Sequence, residues 1–412
     1  MAGAAARTTH GLAAFRSRDF RLLIVGKIFG WIALQMMLVA IAYQVYDRTG
    51  DVANLAYIGL ASFAPAMGFA LVTGYVADLF DRKLVISLCY LTVLVGAGLF
   101  YWYTVSGTEA VWPVFLILLF VGTGRAFHQP AISSLLPNLV PRETFPNAVA
   151  WHSTVNKITQ VTGPALGGLL YIAGPEIVYL TACAALVFAT LVTLCIATKT
   201  DRGPRQPTTL SALLAGVRYV YQKKIIFGAI TLDMLAVLLG GVTALFPVFA
   251  KDILETGPSG AGFLRSAMAV GALVSGLALT QIELRRPVGR ILFATVLIYG
   301  VATLAFGFSE IYWLSLAAMA VLGAADMISV NIRVTLLQIA TPDEMRGRVS
   351  AVSAVFTGAS NEIGEFRAGM MAAVIGAVPA VIFGGIGSIV VAAVCWRAFP
   401  QLAKVERFDQ PL

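Results

Sequence analysis

Charge is what this chain of 412 residues has least of: Asp, Glu, Lys and Arg make up 12% of it and 58% is apolar, against roughly 25% charged in an ordinary soluble domain. The scarcity excludes a water-soluble globular protein, because the apolar residues come in runs of about twenty broken by short charged loops. Histidine is almost missing, at three residues, and the four cysteines Cys89, Cys183, Cys195 and Cys395 stand singly inside apolar runs. Without a C-x-x-C pair, an H-E-x-x-H pair or clustered ligands, no metal or redox site is expected, and the cysteines read as small core residues. A G-x-x-x-x-G-K-[ST] phosphate loop is missing too, so ATP is not expected to drive whatever the chain does. Residues 1–20 lack the apolar core and small-residue cleavage site of a signal peptide, which predicts a cytoplasmic amino terminus.

What is present is a succession of hydrophobic runs. They predict an all-α membrane protein with twelve transmembrane helices, near Leu22–Val45, Leu55–Val76, Leu84–Tyr103, Trp112–Leu135, Ala148–Ile172 and Ile177–Ile196, then Ile225–Phe249, Ala261–Gln281, Ile291–Phe308, Tyr312–Ile339, Val349–Ile375 and Val378–Phe399. At about 34 residues per span and connection, the chain has no room for a soluble catalytic domain, so neither an enzyme nor a cofactor is expected. The expected domains are a six-helix bundle at 1–196, a linker at 197–224 and a second six-helix bundle at 225–412. In the linker, Leu210, Leu213, Leu214, Val217 and Val220 fall at helical spacing, which predicts an amphipathic helix lying in the membrane interface.

The net charge of +8 would suggest nucleic acid in a soluble protein; here it suggests orientation. Nearly all loop Lys and Arg fall on the side of the amino terminus, and only Arg48 and Lys251 on the other, so both termini are expected in the cytoplasm of a bacterial inner membrane. Trp102, Trp112, Trp313 and Trp396 lie near span ends, where aromatic belts sit. An internal repeat supports two halves. At an offset of 201 residues, Gly122 meets Gly323, Leu135 and Leu136 meet Leu336 and Leu337, Pro141 meets Pro342, Glu143 meets Glu344, Ala150 meets Ala351, Gly163 meets Gly364 and Gly168 meets Gly369. An even number of spans separates the copies, so the repeat is of the parallel type found in two-bundle secondary transporters.

Two motifs carry a resemblance. Gly74 to Lys83, with Gly74, Asp78, Asp81, Arg82 and Lys83, resembles the loop signature G-x-x-x-D-x-x-G-R-K of the major facilitator superfamily, Asp81 standing where many members have Gly. Gly163, Pro164, Gly167 and Gly168 in span 5 are similar to the superfamily's antiporter signature G-P-x-x-G-G, with Thr159 where the fuller pattern has Gly. Small residues there let backbones approach closely. Stretches from Arg125, Asp233, Pro342 and Gly358 look like the bacterial branch that includes the enterobactin exporter, although Arg367 stands where that branch suggests an acid. The resemblance implies that Asp78 latches a cytoplasmic gate against span 11, and that the chain exports siderophores, drugs or other amphiphiles.

A charge at mid-membrane costs about 2.5–3.5 kcal/mol on insertion scales, so each is a functional candidate. Asp233 lies in span 7, Asp326 and Arg333 in span 10, Glu362 and Glu365 in span 11, Arg125 in span 4 and Lys27 in span 1. The repeat sets Arg125 on Asp326, which predicts that the two face each other across a central cavity. A carboxylate that loses its partner when the halves part takes up a proton, and Asp233 and Asp326 are the leading carriers. The alternative for each pair is a permanent ion bridge that fixes packing. Glu362 and Glu365, three apart, share a helix face, with Arg367 turned away. Lys27 is expected to snorkel to the headgroups, and His128 and His152 to pack, or else to relay protons. Gln35, Met36, Met37, Tyr43, Gln44, Met234 and Met327 suggest a soft cavity lining, or plain packing. The reading is a proton antiporter with a small-molecule substrate, protons and the bilayer as partners and a monomer sufficient. Its alternatives are a lysophospholipid flippase, a solute–proton symporter or a non-transporting sensor.

Overall fold

The structure, a computed structural model, describes residues 11–198, 210–281 and 287–407 apart from 70, 71, 74, 75, 77 and 78, with side chains undescribed at 210–214, 343 and 344. Among the described residues there is no strand. The first half holds α1 (Arg18–Thr49), α2 (Ala53–Gly68), α3 (Arg82–Val105), α4 (Trp112–Leu139), α5 (Phe145–Tyr171) and α6 (Pro175–Leu194). A short helix α7 (Leu210–Gln222) leads to α8 (Lys224–Gly240), α9 (Gly257–Gln281), α10 (Val288–Gly307), α11 (Tyr312–Ile339), α12 (Asp343–Ile375), α13 (Ala377–Ala398) and the terminal turn α14 (Pro400–Ala403). Each expected span overlaps a helix, although α2 stops at Gly68 and α8 at Gly240, short of the expected ends at Val76 and Phe249.

Nine helices among the described residues are long and apolar enough to cross a membrane, counting Lys224–Ile253 as one. The three outside that set are α2, α5 and α12. Of these, α2 is too short at 16 residues; α2 packs on α12 and α5 on α9, so they form the seams between the halves.

Local chemistry sets the helix ends. Ser17 caps α1 by accepting from the Phe20 amide, and Asp81 caps α3 by accepting from Lys83. Capping of this kind satisfies amides that the first helical turn leaves free. Gly50 ends α1 at φ +63° and Gly376 separates α12 from α13 at φ +93°, conformations that a Cβ disfavours. Trp102, Trp112, Trp313 and Trp396 are exposed near helix ends, as an aromatic belt requires. Cys89 and Cys395 are buried as expected; Cys195, the residue that caps the end of α6, is exposed instead.

Helix α7 does not lie free in an interface. Gly216 comes so close to α12 that a Cβ would stand 3.0 Å from the Arg348 carbonyl, the Tyr219 hydroxyl donates to the Ala340 carbonyl at 3.1 Å, and Val220 is buried with Ile226, Leu337 and Val349. Its apolar stripe is therefore used at least in part on the second half, a partner that an amphipathic pattern by itself does not specify.

Candidate functional site

The repeat read in the sequence is a repeat of close backbone contacts. A Cβ on Gly163 would stand 2.5 Å from Gln35 on α1, and one on Gly364 would stand 2.7 Å from the Val237 carbonyl on α8. Gly168 lies against Pro258, Ser259 and Gly262 of α9, and Gly369 against Ala56 of α2. Thus Gly163 and Gly167 serve packing inside the first half, while Gly168 forms the seam between halves, and its repeat mate Gly369 forms the other seam. Side chains at these points would push helices apart, which is why the motif needs glycine.

Between the seams lies a cavity, part of it open to solvent, lined by residues of both halves. Leu38, Ala42, Leu55 and Ile58 give it an apolar wall; Ser62, Arg125, Thr243, Arg265, Glu362 and Glu365 give it a polar one. Both glutamates face this cavity, as their spacing required, and the Thr243 hydroxyl donates to Glu365. Arg367 is turned away, its guanidinium donating to the Leu238 and Leu239 carbonyls at 3.0 and 2.5 Å. It thereby satisfies carbonyls left free where α8 stops at Gly240, a favourable place for a cation. The basic residue at this unexpected position is explained by that contact.

The other in-span charges stand apart. Asp233 and Arg333 form an ion pair of 3.2 Å within the second half, both almost fully buried, and Arg333 also donates to Ser353 and Thr357 at 3.0 and 2.9 Å. Asp326 shares with Asp233 a pocket of about 240 Å³ together with Thr295, Tyr299 and Ser329. Arg125 borders a pocket of the same volume in the first half with Trp31, Tyr90 and His128. The expectation that Arg125 faces Asp326 is therefore corrected: Asp326 turns into the second half, while Arg125 stands between its own half's pocket and the central cavity, where the charges that face it are Glu362, Glu365 and Arg265. The first-half cation that acts electrostatically on Asp326 is Lys157 of α5.

Lys27 does not snorkel. It is 1% exposed, and its ammonium donates to the His152 carbonyl at 3.1 Å, so the neighbouring α5 offers a nearer acceptor than the headgroups. His128 is buried, stacked on Trp31 at 5.2 Å and tilted against Tyr90 at 5.0 Å. Of the soft lining residues, Gln44 is engaged inside the first half with Thr104 and Tyr179 at 2.9 and 2.6 Å, and Met36 and Met37 are core. Arg265 and Lys157 were not singled out as charges, although Arg265 is the one charged residue of Gly257–Gln281; the rule applied to the others finds it.

Of the loop motif, Gly74 and Asp78 lie outside the described residues. Asp81 is the helix cap described above, Arg82 donates to the Ser134 carbonyl at 2.9 Å and Lys83 to the Ile196 carbonyl at 3.1 Å. These contacts tie the start of α3 to α4 and to the end of α6.

At the end away from the chain start, Lys251 pairs with Asp47 at 2.6 Å and the Tyr46 hydroxyl donates to Asp252. Adjacent residues on one side thus meet adjacent residues on the other, which the π-helical turn Phe249–Ile253 permits by widening the helix there. The Ser266 hydroxyl donates to the Val161 carbonyl, a further hydrogen bond between the halves, near their middle.

The chain matches the family described as transmembrane secretion effector over residues 9–410. It belongs to that family of the major facilitator superfamily. It is similar to the enterobactin exporter of Shigella boydii, 25% identical over 394 residues, covering 95% of this chain and 93% of that one. It is also similar to macrolide efflux protein A of Streptococcus pyogenes, 22% identical over 399 residues, covering 95% and 97%. Among solved structures it resembles in fold a bacterial homologue of the lysosomal transporter Spinster, with TM-score 0.73, 15% identity and coverage of 94% and 98%. A bacterial homologue of the iron transporter ferroportin gives 0.70, 16% identity and the same coverages. Membership makes this chain a multi-pass membrane transporter of the efflux type, not an enzyme, with the major facilitator fold.

Proposed function

We propose that the chain is a proton-coupled exporter, which moves an amphiphilic small molecule of siderophore or drug-like kind out of the bacterial cytoplasm by alternating access. The observation that carries the reading is the cavity between the seams, whose apolar and charged walls are both contributed by helices that must part and rejoin for the site to change sides. In this reading residues 1–196 and 225–412 rock against each other as domains, with 197–224 as cytoplasmic linker, both termini cytoplasmic and one chain sufficient. The far end, held by Lys251 with Asp47 and Tyr46 with Asp252, is the periplasmic gate in its closed position.

Asp326 and Asp233 are the proton carriers we favour. Asp326 has no hydrogen bond or ion pair among the described residues, and three charges act on it, Asp233 and Arg333 in its own half and Lys157 in the other. Ionised, it draws α5 towards α11; protonated, it releases that attraction and the halves can part. Arg333 holds Asp233 in place, while Glu362, Glu365 and Arg125 belong to the substrate cavity. Asp78, Arg82 and Lys83 form the cytoplasmic latch of this scheme. The test is flux in proteoliposomes with an imposed pH gradient. Asp326→Asn should abolish gradient-driven flux and leave a monodisperse protein; undiminished flux removes Asp326 from the mechanism.

A further inference from the structure

Two permanent charges in the central cavity are left without protein partners. Arg125 comes from α4 in the first half and Arg265 from α9 in the second, and neither makes a hydrogen bond or an ion pair within 4.0 Å among the described residues. The carboxylates beside them are differently placed: Glu365 is taken up by Thr243, and Glu362 is itself unpartnered. Arginine cannot shed its charge in a protein, whereas glutamate can by taking a proton. With two of each, the formal charge of the polar wall runs from neutral to positive and never falls negative, so a cationic ligand gains no net attraction in any state. A guanidinium fork is the side chain suited to bidentate contact with an anionic oxygen group. Opposite it, Leu38, Ala42, Leu55 and Ile58 offer an apolar surface.

We propose that this cavity takes an amphiphile bearing an anionic oxygen group, a carboxylate, phosphate or acidic phenol, held between Arg125 and Arg265 while its apolar body lies against α1 and α2. The proposal rests on the reading of the cavity as the substrate site. Because the two arginines come from opposite halves, such a ligand bridges the moving parts, and its anionic group replaces Glu362 as their nearest counter-charge.

The test compares 2-naphthoate, its methyl ester and 2-naphthylmethylammonium by calorimetric titration of the full chain in phosphatidylcholine nanodiscs. Naphthoate should bind about tenfold or more tighter than the other two, and Arg265→Gln and Arg125→Gln should each remove that preference. Arg265→Lys, which keeps the charge without the fork, should keep part of it; it also serves if the glutamine variants fail to fold. Adding phosphatidylglycerol to the discs distinguishes sources: competition identifies an anionic lipid headgroup as occupant, and indifference a soluble amphiphile. Tightest binding of the ammonium probe, or naphthoate binding undiminished in Arg265→Gln, overturns the proposal. Either result leaves the transport reading intact if pH-driven flux in liposomes persists, whereas a wild-type chain without such flux overturns that reading itself.

Discussion

The two small pockets, one in each half, have the same volume and occupy related places in the repeat, yet one is basic and the other acidic. In the first half Arg125 and His128 stand beside Trp31 and Tyr90; in the second, Asp326 and Ser329 occupy the repeat positions beside Asp233 and Tyr299. Backbone packing is repeated down to single glycines, while charge is not. The repeat thus supplies a scaffold of two similar bodies, and the chemistry that distinguishes them is confined to a few side chains.

The largest expected effect comes from the second half. Asp233→Leu leaves Arg333 buried and unpaired and should cost about 3–5 kcal/mol, read as a large drop in melting temperature, while Asp233→Leu with Arg333→Met should recover most of it. Recovery failing in the double variant would mean that the pair does more than compensate charge.

The seams come next, and they test the symmetry itself. Gly168→Val and Gly369→Val each introduce a side chain at a backbone contact of 3.2 Å or less, and each should cost about 1–3 kcal/mol and slow flux, with similar size in the two halves. A large effect of one and none of the other would break the equivalence. Removal of a charge in the first half should act in the opposite direction to the first variant: Lys27 is buried against the His152 carbonyl with no acid paired to it among the described residues, so Lys27→Met should leave stability unchanged or raise it by about 1 kcal/mol. Smallest of all is the far-end latch. Lys251 and Asp47 are 34% and 48% exposed at the side chain, so Lys251→Ala should cost about 0–1 kcal/mol, detectable as a shift in the opening equilibrium of that end more than in melting.

Much of this was legible in the sequence because it depends on period and spacing. The runs gave the helices, the offset of 201 paired Gly168 with Gly369 without saying which helices they touch, and the three-residue spacing gave the shared face of Glu362 and Glu365. What could not be read is which way a helix turns. Arg125 and Asp326 are repeat mates, but a repeat relates positions by an axis and sets them opposite each other only on that axis; Asp326 turns into its own half and Arg125 borders the cavity that holds Glu362 and Glu365. Lys27 looked near enough to the headgroups to reach them, and only the packed structure reveals the His152 carbonyl within reach. Arg367 likewise follows from where α8 stops, a fact of tertiary structure.

The central claim is that the halves rock about the seams under the control of Asp326, and distances between spin labels test it most directly. In a cysteine-free background, one pair would sit at the exposed far-end positions Glu109 and Glu310 and a second at Arg142 and Arg346 near the other end. The account predicts that Asp326→Asn, which fixes the uncharged state, lengthens one distance and shortens the other. Two distances that change in the same direction, or that match those of the unmodified Asp326 at every pH, would contradict it.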